Sequence, residues 1–445
     1  MLNHSAIGQF FGMLILGSLL CANGLQADDW PGFLGARRDG KSLETGIQKD
    51  WGAGRLDVLW TVQLGQGYGI GSVVGERFFQ LDRVGVETRL RCLEASTGET
   101  TWEYRYSADY EDLYGYDAGP RASPLVDEDR VYIYGVAGQL HCVNILNGKR
   151  LWSVDLNKDF GVIQNFFGVG SSPIVFGNSL LVMVGGSPPE SQKVAPGRLD
   201  QVVPNDSLVV VLDKRTGKFQ RKFGADLASY SSIQLAKLHG RDVAVVWGRS
   251  KLMGFDPANG TTLFEFPFRA RSLESVNAAT PIIDGNSIFI SECYGLGSVL
   301  IELDEEFRSR VVWEDRGRRD RSLETHWNTP VLHRGFLYAS SGRHTQGSEL
   351  KCVELATGEV KWSVGGFGRA SMTFVDEHLV ILDELGQMLL VKAVPEQFER
   401  VTSWVPSPSQ GIARLKYPCW AAPVISDGRL YIRCKDRIVC FQLIP

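Results

Sequence analysis

The chain of 445 residues is long enough for two or three domains, although all-β units often reach this size as one. Hydrophobic residues at 44% and charged residues at 22% exclude a disordered chain. A formal charge of −4 gives no general attraction to nucleic acid or anionic lipid.

The first predicted element is an export signal. Ile7 to Ala22 is almost wholly apolar, and ~16 residues fall short of the roughly 20 a membrane span requires. Ala27 offers a small residue for cleavage just before a polar stretch, so residues 1–27 are read as a cleaved signal peptide. The n-region lacks Lys and Arg and Leu25 departs from the small-x-small pattern, so retention as an anchor is the alternative. Cys21 follows Leu20, where a lipidated cysteine would follow a small residue. The mature chain is expected to be periplasmic or secreted, monomeric, and without a transmembrane span. Residues 28–57 form a leader, expected to lie against the domain that follows.

From residue 58 onward the chain repeats. RLRCLEASTGETTWEYRY, QLHCVNILNGKRLWSVDL and ELKCVELATGEVKWSVGG each read as a strand, a turn ending in Gly98, Gly148 or Gly358, and a Trp four residues later. Looser copies carry Arg221 and Phe264 where the Trp is expected. Before each copy stands a second shared element: SPLVDEDRVYIY, SPIVFGNSLLVM, TPIIDGNSIFIS, TPVLHRGFLYAS and APVISDGRLYIR. Alternating apolar residues around DG, GN or RG mark it as a hairpin. The sum is a four-stranded unit of about 40 to 50 residues, the size of a propeller blade. Units end near Trp102, Trp152, Arg221, Phe264, Trp313, Trp362 and Trp404, and an eighth starts at Ala421 with only three strands before Pro445. The missing strand is VLWTVQL around Trp60, so the fold predicted for residues 58–445 is an all-β, eight-bladed β-propeller whose N-terminal strand completes the last blade. Forty-nine glycines suit its many turns. The insertion 185–207, rich in Pro, Ser and Gly, is predicted to be an irregular loop in the third blade.

Seven cysteines remain after residue 27, and four share one strand context: LRCLE, LHCVN, LKCVE and IVCFQ. One per repeat means separation in space, so buried thiols acting as small apolar side chains are expected. A Cys434–Cys440 bridge across one hairpin is the exception left open. No CxxC spacing supports structural zinc.

The turn-and-Trp pattern resembles the tryptophan-docking repeat of the pyrroloquinoline-quinone (PQQ) propellers, in the quinoprotein alcohol dehydrogenase-like superfamily. The likeness runs from Trp30 to Pro445. The leader DDWPGFLGARRDGKSLETGI and the blocks DLASYSS (226–232), RARSLESVNAATP (269–281), ETHWNTP (324–330), SSGRHT (340–345) and CVELATGE (352–359) resemble secreted bacterial members without an established reaction. Two relatives frame what the resemblance implies. Quinoprotein dehydrogenases hold PQQ and Ca²⁺ on the propeller axis, with carboxylates because Ca²⁺ takes several oxygen ligands. The propeller subunit of the outer-membrane β-barrel assembly machinery is a scaffold without chemistry. The adjacent cysteine pair often found over the quinone is missing from this sequence.

In such a ring the loops leading into the inner strands converge on one mouth of the central channel. They carry Tyr68, Tyr116, Asp117, Arg121, Phe167, Tyr230, Glu274, Asn277, His326, Trp327, Asn328, Arg369, Tyr417 and Trp420, the candidate ligand-binding surface. Aromatics with Arg, Asn and His suit a flat polar or anionic ligand, a sugar, or a protein partner. Glu274 with Asn277 is the pair that resembles metal ligands. Arg121 and Arg369 suit either quinone carboxylates or neighbouring acids. His326 is either a general base near neutral pH or a hydrogen-bonded structural residue. His344 is expected on a surface loop. The expected function is non-catalytic binding or scaffolding, and the alternative is a PQQ- or metal-dependent oxidoreductase.

Overall fold

The computed structural model describes residue 1 and residues 29–52, 56–408 and 412–445. The signal-peptide reading and Cys21 lie outside the described residues. Among the described residues no helix is long and apolar enough to cross a membrane.

Eight four-stranded antiparallel sheets follow one another, each running from a short inner strand to an outer one. Blades 1 to 7 are continuous in sequence, from Ser72–Val74 in blade 1 to Arg400–Trp404 in blade 7. Blade 8 takes Val424–Ser426, Arg429–Arg433 and Arg437–Gln442, and its outer strand is Val58–Gln63. Thr61 pairs with Val439 and Val62 with Ile438, so the two ends of the domain close the ring. Closure leaves no sheet unpaired at a seam, the usual weakness of an open array of strands.

Neighbouring blades are locked by the side chain at the repeat's Trp position. Trp60 Nε1 donates to Ala95 O at 2.9 Å, Trp102 to Ile145 O at 3.0 Å, and Trp152 to Lys214 O at 3.2 Å. Trp313 reaches Leu355 O at 2.8 Å and Trp362 reaches Val394 O at 3.0 Å. Arg221 makes the equivalent bond to Pro257 O at 2.6 Å, Phe264 joins the buried cluster that includes Phe307, and Trp404 meets Phe441. The indoles of Trp60, Trp102, Trp152 and Trp313 lie over the glycine turn of the next blade, at Gly98, Gly148, Gly217 and Gly358. At Gly148, with φ +67°, an added Cβ would fall 2.4 Å from Trp102. The repeated cysteine sits opposite the docking indole: Cys92 pairs with Trp102, Cys142 with Trp152, Cys352 with Trp362 and Cys440 with Trp60. A small apolar side chain is what that crowded place admits. All seven described cysteines are buried and free, so the Cys434–Cys440 bridge does not form.

A second girdle runs near the channel. Ser123 N donates to Ser172 Oγ, Ser172 N to Ser232 Oγ, Ser232 N to Thr280 Oγ1 and Thr280 N to Thr329 Oγ1, at 3.0 to 3.3 Å. Ser123, Ser172, Thr280 and Thr329 are the hydroxyl residues of the repeated xxP elements, and Ser232 holds the same place before Ile233, so the position serves as a blade-to-blade clasp as well as a hairpin start.

The leader spans the channel. Trp30 bridges Val73 of blade 1, Pro31 O accepts from Val126 N of blade 2, and Arg38 O accepts from Gln234 Nε2 of blade 4. Gly40 and Ser42 then exchange backbone bonds with Phe374 of blade 7. Trp30 and Trp51 are fully buried. The insertion 185–207 is irregular with two short 3₁₀ turns, Pro189–Lys193 and Leu199–Gln201, and Gly197 lies against Leu113 and Phe166 beside the mouth.

Candidate functional site

The mouth opposite the leader opens into a cup of about 1010 Å³. This is at the upper end of the range for small-molecule sites. Its floor includes Phe33 and Leu34 of the leader, and its wall comes from the loops before the inner strands.

Those loops are held by buried hydrogen bonds, which fixes where their side chains point. In the loop carrying Tyr68, the Tyr68 N–H donates to Pro120 O at 2.9 Å and Arg433 Nη1 donates to Gly69 O at 2.7 Å. Asp112 accepts from Tyr114 N, Tyr116 N and Arg121 Nη2, the last at 2.7 Å. The Tyr230 hydroxyl accepts from Phe167 N at 2.8 Å, tying blade 4 to blade 3. Asn328 Nδ2 donates to both Ser340 O and Ala370 O at 2.9 Å.

The aromatic rings form an arc around the cup. Tyr68 lies 4.8 Å from Trp420, Trp420 4.9 Å from Trp327, and Trp327 4.7 Å from His326, measured between ring centroids. Interplanar angles along this run are 55°, 51° and 49°, so each ring presents its own facet. Across the cup, Phe167 neighbours Tyr114, Tyr116 and Tyr230 at 5.7 to 6.1 Å. Arg121 joins the two runs, 5.8 Å from Tyr68 and 5.9 Å from Phe167. Arg369 lies over Trp327 at 4.8 Å and Trp420 at 5.2 Å, and Arg343 over Tyr294 at 4.5 Å. Cations on aromatic faces favour both partners.

Two of these arginines are already neutralised. Arg121 pairs with Asp112 at 2.7 Å, and its other bonds go to Gly119 O and Asp117 O. Arg369 forks onto the fully buried Glu384 carboxylate, with Nη2 at 2.8 Å. Burial alone would raise the Glu384 carboxyl, but bonds from Arg369 and the Trp420 indole N–H hold it below its ordinary value. Arg343 is exposed and belongs to no ion pair among the described residues. Glu274 stays ionised through its bond from the Ser272 hydroxyl, within the field of Arg343.

His326 is a neutral imidazole at physiological pH. Burial, then the charges of Arg369 and Arg343, push its pKa down to about 3. One ring nitrogen meets the Tyr294 hydroxyl at 3.0 Å. A base this weak takes no proton near neutral pH, which favours the hydrogen-bonded reading of this residue over the general-base one.

Of the residues singled out in the sequence, Tyr68, Tyr116, Arg121, Phe167, Tyr230, Glu274, His326, Trp327, Asn328, Arg369, Tyr417 and Trp420 line the cup. Asn277 does not line it. Its side chain is buried and donates to Gly248 O and Arg249 O, so it braces a loop. Asp117 is likewise buried, capping Gly119 N at 2.7 Å. His344 is exposed on a loop, as its reading as a surface residue expects, and that loop borders the cup. Sequence reasoning missed Tyr294, Arg343, Tyr114 and the leader pair Phe33 and Leu34. Tyr294 and Arg343 sit on turns after the second strand of their blades, outside the loops searched.

The donors do not suit PQQ with Ca²⁺. Glu274 lines the cup and Asn277 does not, and the Asp112 and Glu384 carboxylates are held by arginines. Among the described residues no three His, Cys, Asp or Glu side chains form a metal-binding group.

Eight radial sheets, docked indoles and a central cup define a β-propeller of the PQQ-repeat class. The chain belongs to the family described as outer membrane protein assembly factor BamB, whose model matches residues 57–195 and 189–364. BamB from Moraxella catarrhalis is similar over 87% of this chain and 97% of its own, at 13% identity and a TM-score of 0.56. Quinohemoprotein alcohol dehydrogenase from Comamonas testosteroni is similar over 94% of this chain and 80% of its own, at 13% identity and a TM-score of 0.52. The computationally designed Ika8 protein gives 11% identity and a TM-score of 0.54, covering 87% of this chain and 98% of its own. These likenesses concern the fold alone. No curated protein matches the chain in sequence.

Proposed function

We propose that this chain is an exported binding or scaffold propeller that takes its ligand at the cup and performs no redox chemistry there. The observation that carries the reading is the state of the cup's ionisable groups. Arg121 and Arg369 are neutralised by buried acids, and His326 stays neutral. Catalytic sites need groups whose pKa values are poised for transfer near the working pH. This arrangement instead fixes aromatic facets rigidly, as a recognition surface requires. Export is supported by the apolar stretch at Ile7–Ala22, and a binding role by the description of the family as an assembly factor.

The test is an oxidation assay. Purified protein with added PQQ, Ca²⁺, a primary alcohol and an electron-accepting dye should reduce no more dye than a blank. Dye reduction that depends on both protein and quinone would replace this reading with the dehydrogenase one.

A further inference from the structure

We infer that the ligand of the cup is a neutral oligosaccharide, bound by its pyranose faces on the Tyr68–Trp420–Trp327 arc. The inference rests on the binding reading above and names the ligand class. Three observations on shape, charge and backbone decide between classes.

Shape comes first. Successive rings tilt by 51° to 55°, and no pair along the arc is coplanar. A rigid flat ligand covers one such facet and leaves the others exposed. A saccharide chain presents a separate apolar C–H face from each ring and turns at every glycosidic bond, so it follows a faceted wall. The indole N–H groups are already spent, Trp420 on Glu384 at 3.1 Å and Trp327 on Trp420 O at 3.3 Å, and Arg369 lies over both rings, so a ligand is left to stack on the ring surface that lines the cup.

Charge comes second. Two of the cup's three guanidiniums are matched by buried carboxylates, and the third, Arg343, shares its surroundings with ionised Glu274. The site makes no net demand for an anion. Arg343 and Glu274 are instead the kinds of planar polar group that bind vicinal hydroxyls, and the exposed phenols of Tyr114 and Tyr116 add rim partners.

Backbone comes third. A peptide added as a strand needs an open row of N–H and C=O groups. Inner strands Ser72–Val74, Leu125–Asp127 and Ala370–Val375 give such groups to the leader instead. The cup wall offers side chains.

The experiment titrates the full-length exported protein by calorimetry and tryptophan fluorescence. The probes are glucose, cellotetraose, maltotetraose, chitotetraose, a tetragalacturonate and an extended aromatic-rich peptide. At least one neutral tetrasaccharide should bind about tenfold or more tightly than glucose and quench indole emission. Trp327→Ala should weaken it by about tenfold or more. Trp420→Ala risks disturbing Glu384, so Tyr116→Ser, on an exposed rim ring, is the second variant and should weaken binding severalfold with an unchanged melting temperature. No binding of any neutral tetrasaccharide at ~10 mM, tighter binding of the uronate or the peptide, or full affinity in both Trp327→Ala and Tyr116→Ser would each overturn the inference. A blank titration alongside a silent dye assay removes the sugar alone, whereas dye reduction removes the binding reading beneath it.

Discussion

Protonating His326 would place a charge in a buried pocket that already faces Arg369 and Arg343, and this sets a pH dependence with a definite sign. The unfolded chain takes up that proton near pH 6.5, whereas the native imidazole does so only near 3. Between these values the unfolded state holds more protons, so stability falls as the medium is acidified. The slope from this one group is at most about 1.4 kcal/mol per pH unit. His326→Gln keeps a partner for the Tyr294 hydroxyl and should flatten the fall of the urea midpoint between about pH 6.5 and 4. Parallel pH profiles for variant and parent would contradict this placement of the ring. Glu384 contributes in the usual carboxylate sense. Its lowered native pKa gives stability that is present above the unfolded carboxyl value and lost as pH drops through the native one. Glu384→Gln leaves Arg369 without its counter-charge and should cost about 3–5 kcal/mol, read as a shift in chemical unfolding.

At the level of the repeat, the indole and the turn glycine form one joint. Gly148→Ala adds a left-handed penalty of about 1–2 kcal/mol and forces a methyl into Trp102. Trp102→Ala removes the hydrogen bond to Ile145 O and packing worth about 2–4 kcal/mol. The double variant should lose less than the two losses summed, because the clash disappears with the indole. Simple additivity in a double-mutant cycle would show that the two residues act separately. This joint was legible in the sequence because it recurs, with cysteine, glycine and tryptophan at fixed offsets in copy after copy. The Ser and Thr clasp recurs as well, yet its role was hidden, since a hydroxyl before proline reads equally as a turn former. Within the site, residues on the loops before inner strands could be located from the repeat phase. Arg343 and Tyr294 could not, because they come from turns whose length varies between blades. Asn277 stands in one of the loops before inner strands, but its side chain is buried outside the cup's lining, with Nδ2 bonded to Gly248 O and Arg249 O.

Taken as a whole, the last blade is completed by one strand from the other end of the domain, through the pairing of Val58–Gln63 with Arg437–Gln442. A chain begun at Leu64 would present the latter as a free edge and should self-associate in light scattering as concentration rises, while the full protein does not. A truncated chain that stays monomeric at high concentration would mean the final blade shields its edge some other way.

The segment around Phe33 and Leu34 lays chain across one end of what would otherwise be a plain tube. Guests therefore meet an obstructed end and an open doorway, and the doorway is ringed by the exposed phenols of Tyr114, Tyr116 and Tyr417. The lifetime of whatever sits inside is expected to be set at that rim.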